Sequence, residues 1–144
     1  MKKSRALALL ALFGSVWVLS ACIVVVEKEE DDYHRRRWRL EVIVYDNHTY
    51  YNTQSSGYTV TLNEASFTGT GDCNQFEGQY KTDVAEGDFQ VLALSNTEKG
   101  CGVESLEPLF FSGLRTSHTY EVNGDEMVLQ YNGRGNQMQF TAVD

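Results

Sequence analysis

Residues 69–80 read GTGDCNQFEGQY. Gly69, Gly71 and Asp72 supply a tight reversal around Cys73, and a strand returns over Asn74 to Thr82, with Phe76, Gly78 and Tyr80 on one face and Gln75, Glu77 and Gln79 on the other. A glycine inside a strand marks a bend or a close backbone approach. Gly78 between two aromatics therefore predicts a strongly curved sheet. Cys101 lies 28 positions beyond Cys73. Bridging the two would close the intervening segment into one loop and hang everything C-terminal to it on that staple.

Working outward, Trp38–Asp46 is rich in β-branched and aromatic residues and reads as the first strand, with Trp38, Leu40, Val42 and Val44 on one face and Arg39, Glu41, Ile43 and Tyr45 on the other. Asn47–Gly57 is polar and reads as a loop. Tyr58–Leu62 alternates as a second strand, and Phe67–Gly71 leads into the cysteine turn. Past Glu86-Gly87-Asp88, Phe89–Ser95 alternates again, with apolar residues on both faces, which predicts a strand covered on both sides. Ser105–Thr116 is the one helix: Ser105 is a candidate N-cap, Glu107 lies beside the positive helix end, Pro108 falls in the first turn, and Leu106, Leu109, Phe110, Phe111 and Leu114 form an apolar stripe. Tyr120–Val122 and Met127–Tyr131 flank Asn123-Gly124, a hairpin signal with positive φ expected at both residues. Gln137–Val143 closes the chain. The expected fold is mainly β (α+β): about eight antiparallel strands in a curved sheet or barrel, with one packed helix.

The chain opens with Lys2, Lys3 and Arg5, an apolar run from Ala6 to Leu19, and Leu19-Ser20-Ala21-Cys22. This pattern is an export signal. Leu-Ser-Ala-Cys resembles the bacterial lipobox, which implies cleavage before Cys22, lipid on its sulfur and amino terminus, and permanent membrane attachment. Ile23, rather than aspartate, follows that cysteine, so the resemblance implies the outer membrane, facing the periplasm. The chain divides into a signal peptide at 1–21, a lipidated tether at 22–37 and a domain at 38–144. The tether carries an acidic block and then Arg35, Arg36 and Arg37, a basic run that continues with Trp38 and Arg39 at the start of the domain. These basic residues read as a solvated linker that pairs its own charges, or as a contact for anionic headgroups.

Removal of the signal leaves about 120 residues, enough for one domain with a real core. Three of the 12 basic residues lie in the signal, so the mature chain carries nine against 20 acidic ones, a net charge of −11. That balance argues against nucleic acid or anionic lipid as a whole-domain partner. With Cys22 lipidated, Cys73 and Cys101 remain, and an isolated pair in an oxidising compartment reads as a disulfide. The rival reading, a thiol pair with redox or metal function, lacks C-x-x-C spacing.

Catalytic constellations are absent from the sequence. His34, His48 and His118 have no partner at metal-ligand spacing, no G-x-S-x-G nucleophile turn accompanies His118, and Asp83, Glu86 and Asp88 lack the ordered spacing of a calcium loop. No cofactor or metal is expected, and the protein reads as a non-enzyme. Asn74 is read as holding the cysteine turn through side-chain hydrogen bonds to backbone. Phe67, Phe76, Tyr80, Phe89, Phe110 and Phe111 are read as core.

The FTGTGDCNQFEGQY block, the NTEKGC block, a helix with an acidic residue and paired aromatics, and the closing YEVNGDEMVLQY hairpin together resemble the META domain of HslJ-type heat-shock proteins and bacterial envelope lipoproteins. The family pattern Gly-x-x-Gly-Cys-Asn-x-Phe-x-Gly-x-Tyr falls on Gly69, Asp72, Cys73, Asn74, Phe76, Gly78 and Tyr80, and Trp38 and Leu40 match its opening Trp-x-Leu. Asp72 stands where the family has glycine, and Thr97–Cys101 departs from its Thr-Arg-Met-Ala-Cys. The resemblance implies a role in envelope integrity or stress tolerance and brings no catalytic residues with it. The expected function is a non-enzymatic lipoprotein that binds an envelope protein or component. The alternative is a carrier that holds a small apolar ligand, such as an acyl chain, inside the barrel.

Overall fold

A computed structural model describes residues 35–54, 57–83 and 86–143. The expected signal peptide, Cys22 and the expected tether as far as His34 lie outside the described residues. Nine strands and one helix follow in the order β1 (Arg37–Tyr45), β2 (His48–Tyr51), β3 (Thr59–Leu62), β4 (Ser66–Thr70), β5 (Gln75–Asp83), β6 (Asp88–Asn96), α1 (Glu107–Arg115), β7 (Ser117–Asn123), β8 (Glu126–Tyr131) and β9 (Gln137–Val143). All pairings are antiparallel. β3 to β9 run in sequence order, and β1 joins β3 on one side and β9 on the other. The result is a closed eight-stranded barrel. β2 lies outside the ring, paired only with the second half of β1.

The long strand β1 changes partners partway along one edge. Arg37–Arg39 pair with β3 and Val42–Tyr45 with β2. At the changeover, the Leu40 carbonyl accepts from Asn52 Nδ2 and the Glu41 carbonyl from the Asn52 N–H. These bonds leave neither backbone acceptor orphaned.

The interior is filled by side chains. Trp38, Val60, Leu62, Phe67, Tyr80, Phe89, Met127, Leu129, Tyr131, Met138 and Phe140 converge with Phe110, Phe111 and Leu114 of α1 into one buried cluster. Phe76 meets Phe110 and Phe111 edge-on at centroid distances of 5.7 and 5.3 Å. Such pairs contribute about 0.5–1.5 kcal/mol each beyond their buried area. α1 packs on β6 and β8, beside the weakest seam of the barrel. There β6 and β7 share a single ladder pair, Asp88 with Thr119, supported by the Tyr120 N–H to the Gly87 carbonyl.

Gly78 is required by close approach. A Cβ there would overlap the Phe67 ring and the Ala93 carbonyl.

Several sequence-based expectations are corrected. The faces of β1 do not alternate through its length, because Glu41 is an extra residue in the ladder with β9. Past that bulge Ile43 points inward and is fully buried, while Val42 and Val44 are only half-buried. β6 has the same device: Leu92 is the extra residue opposite Gln79 and Tyr80. It is 56% exposed, so the strand is covered on one side only. The segment read as a loop contains β2, which pairs across a two-residue turn where Asp46 and Asn47 both have positive φ. In the β7–β8 hairpin the turn residues are Gly124 and Asp125, with Asn123 paired to Glu126. Only Gly124 has positive φ, so this is the turn class with glycine at its first central position. The helix begins at Glu107, after Leu106 rather than Ser105.

Candidate functional site

The β4–β5 turn, the segment after β6 and the start of α1 meet at one end of the barrel. Cys73 and Cys101 are joined there by a disulfide with Cα atoms 5.9 Å apart. Asn74, 4% exposed, lies directly beneath it. Its amide makes all four of the hydrogen bonds open to it. Oδ1 accepts from Thr97 Oγ1 and from the Lys99 N–H, each at 2.7 Å, and Nδ2 donates to the Lys99 carbonyl at 2.9 Å and to Glu107 Oε1. Asn74 thus pairs with Lys99 as a strand neighbour would, and so fixes the segment that delivers Cys101. A buried amide with every valence met adds rigidity and leaves nothing for a ligand.

Glu107 completes the cluster. It is the first residue of α1, followed by Pro108, and it is also 4% exposed. Oε2 accepts from the N–H groups of Cys73 and Asn74, each at 3.0 Å. Oε1 takes the Asn74 amide and lies 3.1 Å from Cys101 Sγ. All of its hydrogen bonds come from N–H donors. Gly71 makes room for it, since a Cβ there would overlap the carboxylate.

Tyr58, immediately before β3, anchors the same helix end. Its hydroxyl accepts the Leu106 N–H at 3.0 Å and lies 3.3 Å from Ser105 Oγ, while its ring meets Phe110 edge-on. The Ser105 oxygen takes the Glu107 N–H at 3.2 Å. The orphan donors of the helix start are met partly from another element.

The Sγ atoms of Cys73 and Cys101 and a Glu107 oxygen lie within 4.8 Å of one another, the only such His/Cys/Asp/Glu trio among the described residues. The donor set does not suit a metal. The sulfurs are bonded to each other, and Asn74 Nδ2 stands 3.5 Å from each of them, where a cation would sit.

The remaining sequence-derived candidates are dispersed. Gly69, Phe76, Gly78 and Tyr80 line the β4–β5 curve. Asp83 and Asp88 face each other across β5 and β6, and Glu86 is exposed in the turn. His118 is exposed on β7, and His48 Nδ1 lies 2.8 Å from the Asp46 carbonyl. Of the basic group, Arg36 pairs with Asp125 and lies over the Trp38 ring, and Arg39 pairs with Glu41 at 2.8 Å.

A second feature was missed by the sequence reading. The β1–β2 hairpin carries three of the most exposed large apolar side chains, Tyr45 at 39%, Tyr50 at 37% and Tyr51 at 69%. The Tyr45 ring lies parallel to that of Tyr131 at 6.4 Å. Tyr131 itself is buried, and its hydroxyl donates to the Val44 carbonyl at 3.1 Å. Burial pushes that hydroxyl up to about 12, and Tyr45 and Tyr50 push in the same direction. The available signal was the Asp46-Asn47 dipeptide between two runs of β-formers.

No curated protein matches the chain. Its fold is similar to the NMR structure of a protein from Burkholderia xenovorans, at 18% identity and a TM-score of 0.64 over 77% of this chain and 83% of that one. It is also similar to the crystal structure of a DUF4847 family protein from Bacteroides vulgatus, at 13% identity and a TM-score of 0.57 over 76% and 93% of the two chains. A third protein solved by NMR gives 17% identity and a TM-score of 0.58 over 75% and 89%. At these identities the likeness concerns the fold. Residues 31–144 match the META domain, and with a closed barrel, a packed helix and a cysteine turn in place, the chain belongs to the META domain family.

Proposed function

We propose that the protein is a non-enzymatic binding module of the cell envelope, lipid-anchored through Cys22 at the outer membrane and facing the periplasm, which holds an envelope protein or component and so serves envelope integrity or stress tolerance. The observation that carries this reading is the β1–β2 hairpin. Its outer strand β2 contributes nothing to closing the barrel, yet the hairpin displays Tyr45, Tyr50 and Tyr51 to solvent. Tyrosine offers a large apolar contact with a polar tip and little side-chain entropy to lose, which makes it a favoured interface residue.

The position of the hairpin supports the same reading. The chain enters the domain at Arg35, whose N–H bonds to the Leu62 carbonyl. The hairpin turns at the far end of β1, where Tyr51 and Tyr50 pair with Val42 and Ile43, so roughly 17–26 Å separates the tether end of β1 from the tyrosines at the usual strand rise. An anchored domain would present the tyrosines away from its own membrane. The polar residues of the cysteine site, by contrast, are spent on one another. The space a carrier would need for an apolar ligand is taken by the core side chains.

The test is site-specific photo-crosslinking in intact envelopes. A crosslinker at Tyr51 of the full chain should give a discrete adduct, and one at Glu64, exposed near the tether end, should not. Absence of an adduct at Tyr51, or the same adduct from both positions, contradicts the reading.

A further inference from the structure

Glu107 is a buried acid whose charge the binding role does not use. Among the described residues no lysine, arginine or histidine forms an ion pair with it. A buried carboxylate without a cation is costly. Its partners are the N–H groups of Cys73 and Asn74 and the Asn74 amide, a donor-only set suited to an acceptor-only carboxylate. These bonds aim Oε1 at the disulfide, 3.1 Å from Cys101 Sγ.

We propose that the Glu107 carboxylate is an electrostatic guard on the Cys73–Cys101 disulfide, and that the bond it protects is a permanent staple, closed to thiol reductants and to the thiolates of disulfide oxidoreductases. The chemistry gives the reason. A reductant thiolate attacks one sulfur and forms a mixed disulfide with it, and the other cysteine leaves as a thiolate. A second reductant thiol then releases the first cysteine, and both cysteine sulfurs take up protons as the reductant becomes its disulfide. In the first step one negative charge is spread over three sulfurs, and two of them lie beside the carboxylate. Repulsion therefore opposes the approach of the thiolate and the departure of the leaving sulfur. The released thiolate gains no stabilisation of the kind that makes oxidising disulfides easy to reduce.

The decisive experiment compares reduction rates of the full chain, purified in detergent, by following free thiols with an alkylating mass tag. Glu107→Gln should speed reduction by mercaptoethanol by about tenfold or more, a conservative expectation for a unit charge in contact with the reacting sulfur. The control Glu98→Gln, at an exposed position, should not change the rate. An uncharged phosphine becomes a phosphonium cation as the thiolate leaves, so the reacting atoms carry no net charge and the rate should change little in Glu107→Gln. Equal acceleration with thiol and phosphine would mean that Glu107 only holds the loop shut, and no acceleration would mean that its charge is idle. Either result overturns the proposal. If Glu107→Gln does not fold, the wild type decides. In 1 M salt remote charges are screened within about 3 Å. With each rate divided by the reagent's thiolate concentration, cationic cysteamine should still outpace anionic mercaptoacetate, and equal rates per thiolate overturn the proposal.

Discussion

Asn74 is the residue on which the cysteine site is assembled, since its amide ties Thr97, Lys99 and Glu107 to the β4–β5 turn. Asn74→Ala strands those partners and should cost about 2 kcal/mol. Asn74→Asp turns a donor into an acceptor between Glu107 and the Lys99 carbonyl, and should cost about 3 kcal/mol or more. Urea midpoints of the two variants measure the order, with Asp the worse although it is the closer in shape. Tyr131 gives a prediction in pH. Its folded-state hydroxyl is pushed up to about 12 from an ordinary value of 10.0, chiefly by burial. Below about pH 10 both states are neutral there and the stabilisation is complete. As pH rises toward 12 the unfolded chain loses its proton first, so stability drains away. Tyr58 is shifted the same way, mainly by burial. Tyr131→Phe should therefore start less stable, having lost its bond to Val44, and should decline less steeply between pH 10 and 12 in a denaturation series.

At the scale of elements, the β1–β2 hairpin and the bulged strands behave differently under substitution. Tyr50→Ser with Tyr51→Ser should leave thermal stability within about 0.5 kcal/mol of wild type per site, as exposed edge positions do. Leu94→Ala, whose side chain packs on the core, should cost about 2 kcal/mol, and calorimetry separates the two. The contrast between Leu92 and Leu94 also marks the limit of what sequence patterning tells. Strand identities and order were legible because burial on one face imposes a period of two. Bulges at Glu41 and Leu92 were not, because one extra residue reverses the faces without altering composition. β2 was missed for the complementary reason, since it buries none of its four residues and so shows no apolar face. In the cysteine site, Asn74 and both cysteines stand together or stand out in the sequence. Glu107 instead reads as an ordinary helix-start acid, because the turn it reaches lies 33 residues away.

The whole molecule is a filled barrel with one thin seam, at β6–β7. The disulfide closes a loop spanning 28 residues that contains β5 and β6, so it ties α1 and the strands after it to the front half of the barrel. Closing such a loop should disfavour the unfolded chain by about 3–4 kcal/mol, a large share of the roughly 5–15 kcal/mol that holds a domain together. Equilibrium urea unfolding of the wild type against Cys73→Ser with Cys101→Ser tests this most directly. The double variant should keep its β-sheet signal in buffer and lose about 3–4 kcal/mol of stability. An unfolding curve that coincides with that of the wild type would contradict a barrel stapled at this turn.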